Sequence, residues 1–275
     1  MRSRLRESTV RSQSGAYCGP VLETVTATRF AVPLREGGSL PGLVEADDLG
    51  MYVVKFRGAG QGVKVLVAEV VVGEIARVLG IPVPRLAVVD LPRDIARYEA
   101  DEEVQDLLTA SLGTNLGLDY LPGSFGYDGS RPATPEQAAP IIWLDAFTAN
   151  IDRTWANPNL LVWGGRPWVI DHGAALYFHH AWARRAPDAQ RFAEQRFDAS
   201  DHVLGDLVDD VRPAHEDLAA RLDDSTLAGV LDLVPDEWLE TTEQLVTPTD
   251  TRRAYLEHLV ARRDQPAAWL PGGAR

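Results

Sequence analysis

Residues 150–173, NIDRTWANPNLLVWGGRPWVIDHG, constrain the chain more than any other stretch. Two apolar runs, Leu160–Trp163 and residues 167–170, flank Gly164-Gly165-Arg166, and this pattern predicts a tight β-hairpin. Folding that hairpin returns Asp171 to the end from which Asn157 departs, with Asp152 in the loop just upstream. A carboxylate and an amide oxygen at one rim are hard donors that suit magnesium, which keeps several waters and shares phosphate oxygens. Asp152 then stands where an incoming hydroxyl needs its proton accepted or oriented. Phosphoryl transfer from ATP divides its labour in this way. The spacing alone also suits an ordinary turn at Asn157-Pro158 and a strand terminator at Asp171.

The chain of 275 residues can bury a sizeable core, as one large domain or two lobes. Its formal net charge of −13 argues against broad binding to nucleic acid or to an anionic membrane, which needs a basic face. ATP is not excluded, because a local cluster of Lys, Asn and metal overrides the global field. The single Cys18 rules out an intramolecular disulfide and a cysteine zinc cluster, and a reducing cytoplasm is the expected compartment. No apolar run approaches the roughly 18 residues of a spanning helix, and the start has no secretory h-region.

Residues 1–20 are rich in Arg and Ser without apolar period and read as a flexible leader. A strand over residues 21–32 opens the fold. Gly37, Gly38 and Ser39 then form a flexible loop whose backbone can approach a phosphate closely, or a plain hairpin loop; it is neither a Walker sequence nor a GxGxxG. In the strand MYVVKF, Tyr52, Val54 and Phe56 share one face, while Met51, Val53 and Lys55 share the other. Lys55 therefore projects into apolar surroundings and needs a negative partner, unless it snorkels to solvent. Residues 63–79 read as a helix stopped by Gly80, with Leu66, Glu69, Gly73 and Ala76 on one stripe. Glu69 is the carboxylate that most economically satisfies Lys55.

Further along, Leu86–Leu91 reads as a strand, residues 93–112 as a charged amphipathic helix, and residues 116–121 as another strand. In a two-lobed kinase the lobes join there, and adenine would lie against backbone groups near Tyr120. The Gly/Pro-rich residues 123–135 are the best boundary, dividing 21–122 from 123–270. A helix over residues 136–149 delivers the hairpin stretch. Helical period also marks residues 182–197, 204–222, 225–234 and 251–263. His179-His180 invites a metal reading, but adjacent residues do not face one another. Trp238 and Trp269 read as core or lid packing.

Together these motifs resemble the HipA-like kinases, within the broader protein-kinase and phosphoinositide-kinase superfamily. The resemblance rests on Lys55 in VVKF, Glu69 eleven residues before Gly80, the loop NIDRTWAN and the Asp171 of IDHG. It implies an α+β, bilobal protein-kinase-like fold, with a β-rich N-lobe carrying one key helix and a mainly helical C-lobe. It implies Asp152 as the catalytic residue, Asn157 and Asp171 as magnesium ligands, Lys55 on the phosphates of ATP, and Glu69 orienting Lys55. Two departures stand out: Thr154 where the family's loop usually has His, and His172 where other kinases have Phe in Asp-Phe-Gly. The chain is too short for the extra subdomain of the toxin-type members, so no antitoxin partner is expected. The expected activity is ATP- and magnesium-dependent phosphorylation of a hydroxyl, with Ser/Thr of a protein favoured. A small-molecule kinase of the aminoglycoside-phosphotransferase kind, a nucleotidyl transferase and a nucleotide-binding pseudokinase are the alternatives.

Overall fold

Five strands close into a barrel in the order β1-β2-β3-β5-β4: β1 (Glu23–Pro33), β2 (Gly42–Ala46), β3 (Met51–Lys55), β4 (Leu86–Leu91) and β5 (Gly113–Asp119). Neighbours are antiparallel except where β1 runs parallel to β4 and completes the closure. Closure leaves no free edge in this sheet. The computed structural model describes residues 22–34, 40–60, 62–97 and 99–271. The leader, Cys18, and the candidate phosphate loop Gly37, Gly38 and Ser39 fall outside these residues.

The alternation anticipated in MYVVKF is realised. Tyr52, Val54 and Phe56 join Val25, Val44, Val89 and Leu91 inside the barrel. Between β3 and β4 runs α1 (Val63–Val78), in which every residue from Val65 to Ala76 is buried. A helix apolar on all sides must be covered on all sides. Its neighbours α3 (Pro135–Thr148) and the C-terminal helices supply that cover from one direction. Gly73 allows close packing on the β4 side, where an added Cβ would lie 3.1 Å from the Leu86 Cδ1.

The charged helix begins later than its periodicity suggests. Residues 93–97 form turns, and α2 spans only Glu102–Ala110. Asp101 sets that start by accepting hydrogen bonds from the Glu103 and Val104 backbone N–H groups, with Glu102 and Glu103 in the first turn. β5 likewise begins at Gly113, earlier than residue 116. The Gly/Pro-rich stretch is not all loop, since β6 (Phe125–Gly126) adds a third strand to the hairpin of β7 (Leu160–Trp163) and β8 (Arg166–Val169).

Beyond the hairpin the chain is less helical than expected. Residues 182–197 contain only α4 (Ala189–Ala193), and residues 204–222 only 3-10 turns and α5 (His215–Ala220). Pro187 and Pro213 interrupt these segments, and the Asp188 side chain restarts the backbone by accepting from Arg191 N–H. The α6 (Asp224–Asp232) and α7 (Pro248–Arg263) helices lie where expected, followed by α8 (Pro266–Trp269). Trp238 and Trp269 are both core residues. Among the described residues no helix is long and apolar enough to cross a membrane.

Arg262 of α7 ties the C-terminal elements together. Its guanidinium donates to the carbonyls of Ala146 (2.6 Å), Phe192 (2.5 Å) and Gln195 (2.9 Å), and lies 5.0 Å from the Trp269 ring centre. Replacing it with Ala removes the donors it gives to the Ala146, Phe192 and Gln195 carbonyls and opens a cavity. We expect Arg262→Ala to cost about 3 kcal/mol, lowering the calorimetric unfolding midpoint by roughly 6–12 °C. An unchanged midpoint would show these contacts to be redundant.

Candidate active site

Lys55 ends β3 with its side chain buried, and its Nζ meets carboxylates from two other parts of the chain. It donates to Glu69 Oε1 from the middle of α1, and to Asp171 Oδ1 at 2.8 Å from just beyond β8. Burial works against the Lys55 charge, but Glu69 and Asp171 outweigh it and raise its pKa. Burial pushes the Glu69 carboxyl up to about 7 against the pull of Lys55. The more accessible Asp171 is also disfavoured by burial, yet Lys55 carries it below the usual carboxylate range. The His172 backbone N–H donates to Glu69 Oε1 at 2.7 Å, fixing α1 to the end of the hairpin. Glu69 Oε2 is buried with no hydrogen-bond partner among the described residues.

The second half of the site hangs from α3 (Pro135–Thr148). This helix starts with a Thr134/Gln137 capping box and ends at Ala149, whose φ is +54°. Asp145, in its last turn, is fully buried and accepts from Asn150 Nδ2 (2.9 Å), Arg153 Nε (2.6 Å), Arg153 Nη2 (3.2 Å) and His202 Nε2 (3.0 Å). Burial opposes its charge, but Arg153 and His202 hold its pKa well below the usual range. Arg153 carries the grip onward. Its Nη1 donates to the carbonyl of Asn159, and to that of Ile170 at 3.2 Å. Those two carbonyls flank β7 and β8 at the rim bearing Asn157 and Asp171.

At that rim Asp152 Oδ2 accepts from Asn157 Nδ2 (2.8 Å) and Asn159 Nδ2 (3.3 Å). Gly164 and Gly165, at φ +57° and +76°, make the hairpin turn. The pairing of Leu160 with Val169 then returns the chain to the Asn157 end. Asp171 itself sits at φ +53°, a left-handed conformation uncommon for a non-glycine residue. The next glycine is sterically required: a Cβ on Gly173 would lie 2.8 Å from Val65 Cγ1. A cleft of about 990 Å³ is lined by Val65, Tyr127, Ile151, Asp152, Asn157 and Asp171, among others.

The fold thus brings together Lys55, Glu69, Asp152, Asn157 and Asp171. Tyr120 follows β5 with its N–H bonded to the Met51 carbonyl; its side chain is partly exposed and does not line this cleft. His179 is buried with Nδ1 2.8 Å from the Tyr255 hydroxyl, while His180 is exposed. Among the described residues no group of three or more His, Cys, Asp or Glu is placed to hold a metal. Three site residues escaped the sequence reading. Asp145 had a signal, as the one acid in the apolar run before Asn150. Asn159 had a weaker one, as the second Asn of Asn-Pro-Asn. His202 had none.

The architecture is that of a kinase. It is similar to the crystal structure of the Helicobacter pylori proinflammatory kinase CtkA, with a TM-score of 0.50 and 12% identity over 90% of this chain and 95% of that one. A golgi casein kinase structure is also similar, with a TM-score of 0.42 and 11% identity over 90% of this chain and 72% of the other. The HipA-like kinase family model matches residues 28–271, and the chain belongs to that family. No curated protein matches the sequence.

His172 gives the site a pH signature. Its ring is buried, with Nδ1 3.3 Å from Arg153 Nη2; burial first, then the Arg153 charge, push its pKa down to about 3. Below pH ~6.5 the unfolded chain binds a proton there that the native chain refuses. Stability should therefore fall as pH drops from that point toward the native pKa, by about 2 kcal/mol at pH ~5 from this residue alone. Urea midpoints across this window should fall less steeply for His172→Phe than for the parent. Equal slopes would mean that His172 does not resist protonation.

Proposed function

We propose that this HipA-like kinase is an ATP- and magnesium-dependent phosphotransferase acting on a hydroxyl, with Ser or Thr of a protein as the acceptor class. One observation carries the reading. The buried Lys55 ammonium is held by Glu69 and by Asp171, and Asp171 shares a cleft with the hydrogen-bonded pair Asp152 and Asn157. In this reading residues 21–122 and 123–270 act as the N-lobe and C-lobe of a bilobal enzyme, with ATP drawn from the cytoplasm.

The donors available in the cleft fit magnesium. Asn157 uses its Nδ2 on Asp152 and keeps Oδ1 as an acceptor, and Asp171 bonds Lys55 through Oδ1, leaving Oδ2. One carboxylate and one amide oxygen leave most of an octahedral shell to water and phosphate oxygens, as magnesium prefers. Asp171 and Asn157 would hold the ion, which when bound neutralises charge on the transferring phosphates. Lys55 grips the non-transferred phosphates, and Glu69 keeps its ammonium aimed. Asp152 orients the acceptor hydroxyl and takes its proton. The hydroxyl oxygen bonds to the γ-phosphorus, the bond to the bridging oxygen breaks, and ADP leaves with that electron pair. Asn157 and Asn159 hold the Asp152 carboxylate in place for this step.

Three variants test the assignment. Asp152→Ala should keep ATP binding and lower turnover at least about a hundredfold; unchanged turnover removes Asp152 from the mechanism. Asp171→Asn should abolish the magnesium-dependent thermal stabilisation by ATP, and persistence of that shift would reject the metal assignment. Lys55→Met should weaken nucleotide binding, which calorimetric titration measures directly. The function itself is tested by incubating the protein and a cell lysate with γ-labelled or α-labelled ATP. Label appearing on protein only from the γ position supports the proposal, and label only from the α position identifies a nucleotidyl transferase.

A further inference from the structure

The loop carrying Asp152 is braced from outside by a segment more than forty residues further along the chain. Val203 N–H donates to the Arg153 carbonyl at 3.0 Å, and Thr154 and His202 form an antiparallel bridge. From this bridge the buried His202 side chain reaches inward to Asp145 Oδ2, with Nε2 at 3.0 Å. The tautomer follows from the other ring nitrogen. Leu204 backbone N–H, which can only donate, lies 3.1 Å from His202 Nδ1. Nδ1 is therefore the acceptor, and Nε2 carries the proton given to Asp145.

We infer that His202 is a positioning residue for phosphoryl transfer, acting through Asp145 and Arg153 on both halves of the active site. Its donated proton occupies one lone pair of Asp145 Oδ2, the same oxygen that receives Arg153 Nε at 2.6 Å. Asp145 thereby sets the plane of the Arg153 guanidinium. That plane decides where Nη1 meets the Asn159 and Ile170 carbonyls. Asn159 precedes β7 and bonds Asp152, while Ile170 precedes Asp171. Both Asn159 and Asp171 have positive φ, +47° and +53°, so their backbones relax unless held. Thr154 faces His202 across the bridge, so a segment further along the same chain supplies the imidazole that reaches Asp145. Asp145 keeps three other hydrogen bonds without His202.

The inference rests on the proposed transfer reaction at Asp152 and Asp171, and its test separates the two. Full-length His202→Leu keeps the bulk but loses both the donor to Asp145 and the acceptor for Leu204 N–H, whereas His202→Gln places an amide N–H near the Nε2 position. With γ-labelled ATP, His202→Leu should lower kcat about tenfold or more while KM for ATP stays within about threefold. His202→Gln should stay within about threefold of the parent in both. Equal kcat in the Leu and Gln variants would overturn the inference. Amide hydrogen exchange over residues 150–159 reads the same brace without turnover: it should quicken in the Leu variant and not in the Gln variant. Unchanged exchange in both would overturn the inference, including where the parent itself transfers no phosphate, a result that refutes only the proposed function. Should His202→Leu not fold, side-chain ¹⁵N NMR of the parent decides. The proton must reside on Nε2 of His202, and a proton on Nδ1 would overturn the assignment.

Discussion

A single ammonium group joins three parts of the chain that are far apart in sequence. Lys55 belongs to the barrel, Glu69 to α1 and Asp171 to the chain leaving the hairpin. Burying one charge alone would be prohibitive, and burying it with only one carboxylate would barely break even. Two carboxylates, one of them still reached by solvent, make the arrangement tolerable. In the proposed function they would also make it responsive, because an incoming phosphate could replace Asp171 as the partner of Lys55 without stranding the ammonium. The barrel and α1 can be viewed as the frame that keeps this exchange in register. Closure of the sheet fixes the end of β3, and the all-round burial of α1 fixes Glu69.

The Asp145–Arg153 pair works differently. It is fully buried and gains little net stability over an apolar pair of the same size. What it supplies is direction. A guanidinium has five donors in a rigid plane, and here they reach a carboxylate, an imidazole and the two carbonyls at the hairpin rim. An active site built on a loop needs such bracing, since strained backbone at Asn159 and Asp171 would otherwise relax.

Much of the site was legible because its determinants are local. A Gly-Gly turn between two alternating runs places Asn157 and Asp171 at one rim whatever surrounds them. Lys55 and Glu69 could be paired because each is a charge in apolar surroundings on adjacent elements. The C-terminal half was read less well for an equally physical reason. Apolar residues at helical spacing in residues 182–197 and 204–222 do face a core, but prolines and Asp188 divert the backbone into short turns. The start of α2 was recoverable from Asp101-Glu102-Glu103, an N-cap followed by two acids, and the longer apolar period obscured it.

By itself, then, the amino-acid order determined the hairpin, the buried lysine and its helical partner, and membership of a kinase family, because each is encoded in short-range pattern or in a motif. Tertiary structure alone decided that β1 would close the barrel against β4, that Asp145 would become the anchor of the loop, and that His202 would reach it. Those contacts join residues whose separation carries no periodic signal. A histidine in a polar turn looks the same in sequence whether it meets water or a buried carboxylate, and only the packed chain distinguishes the two.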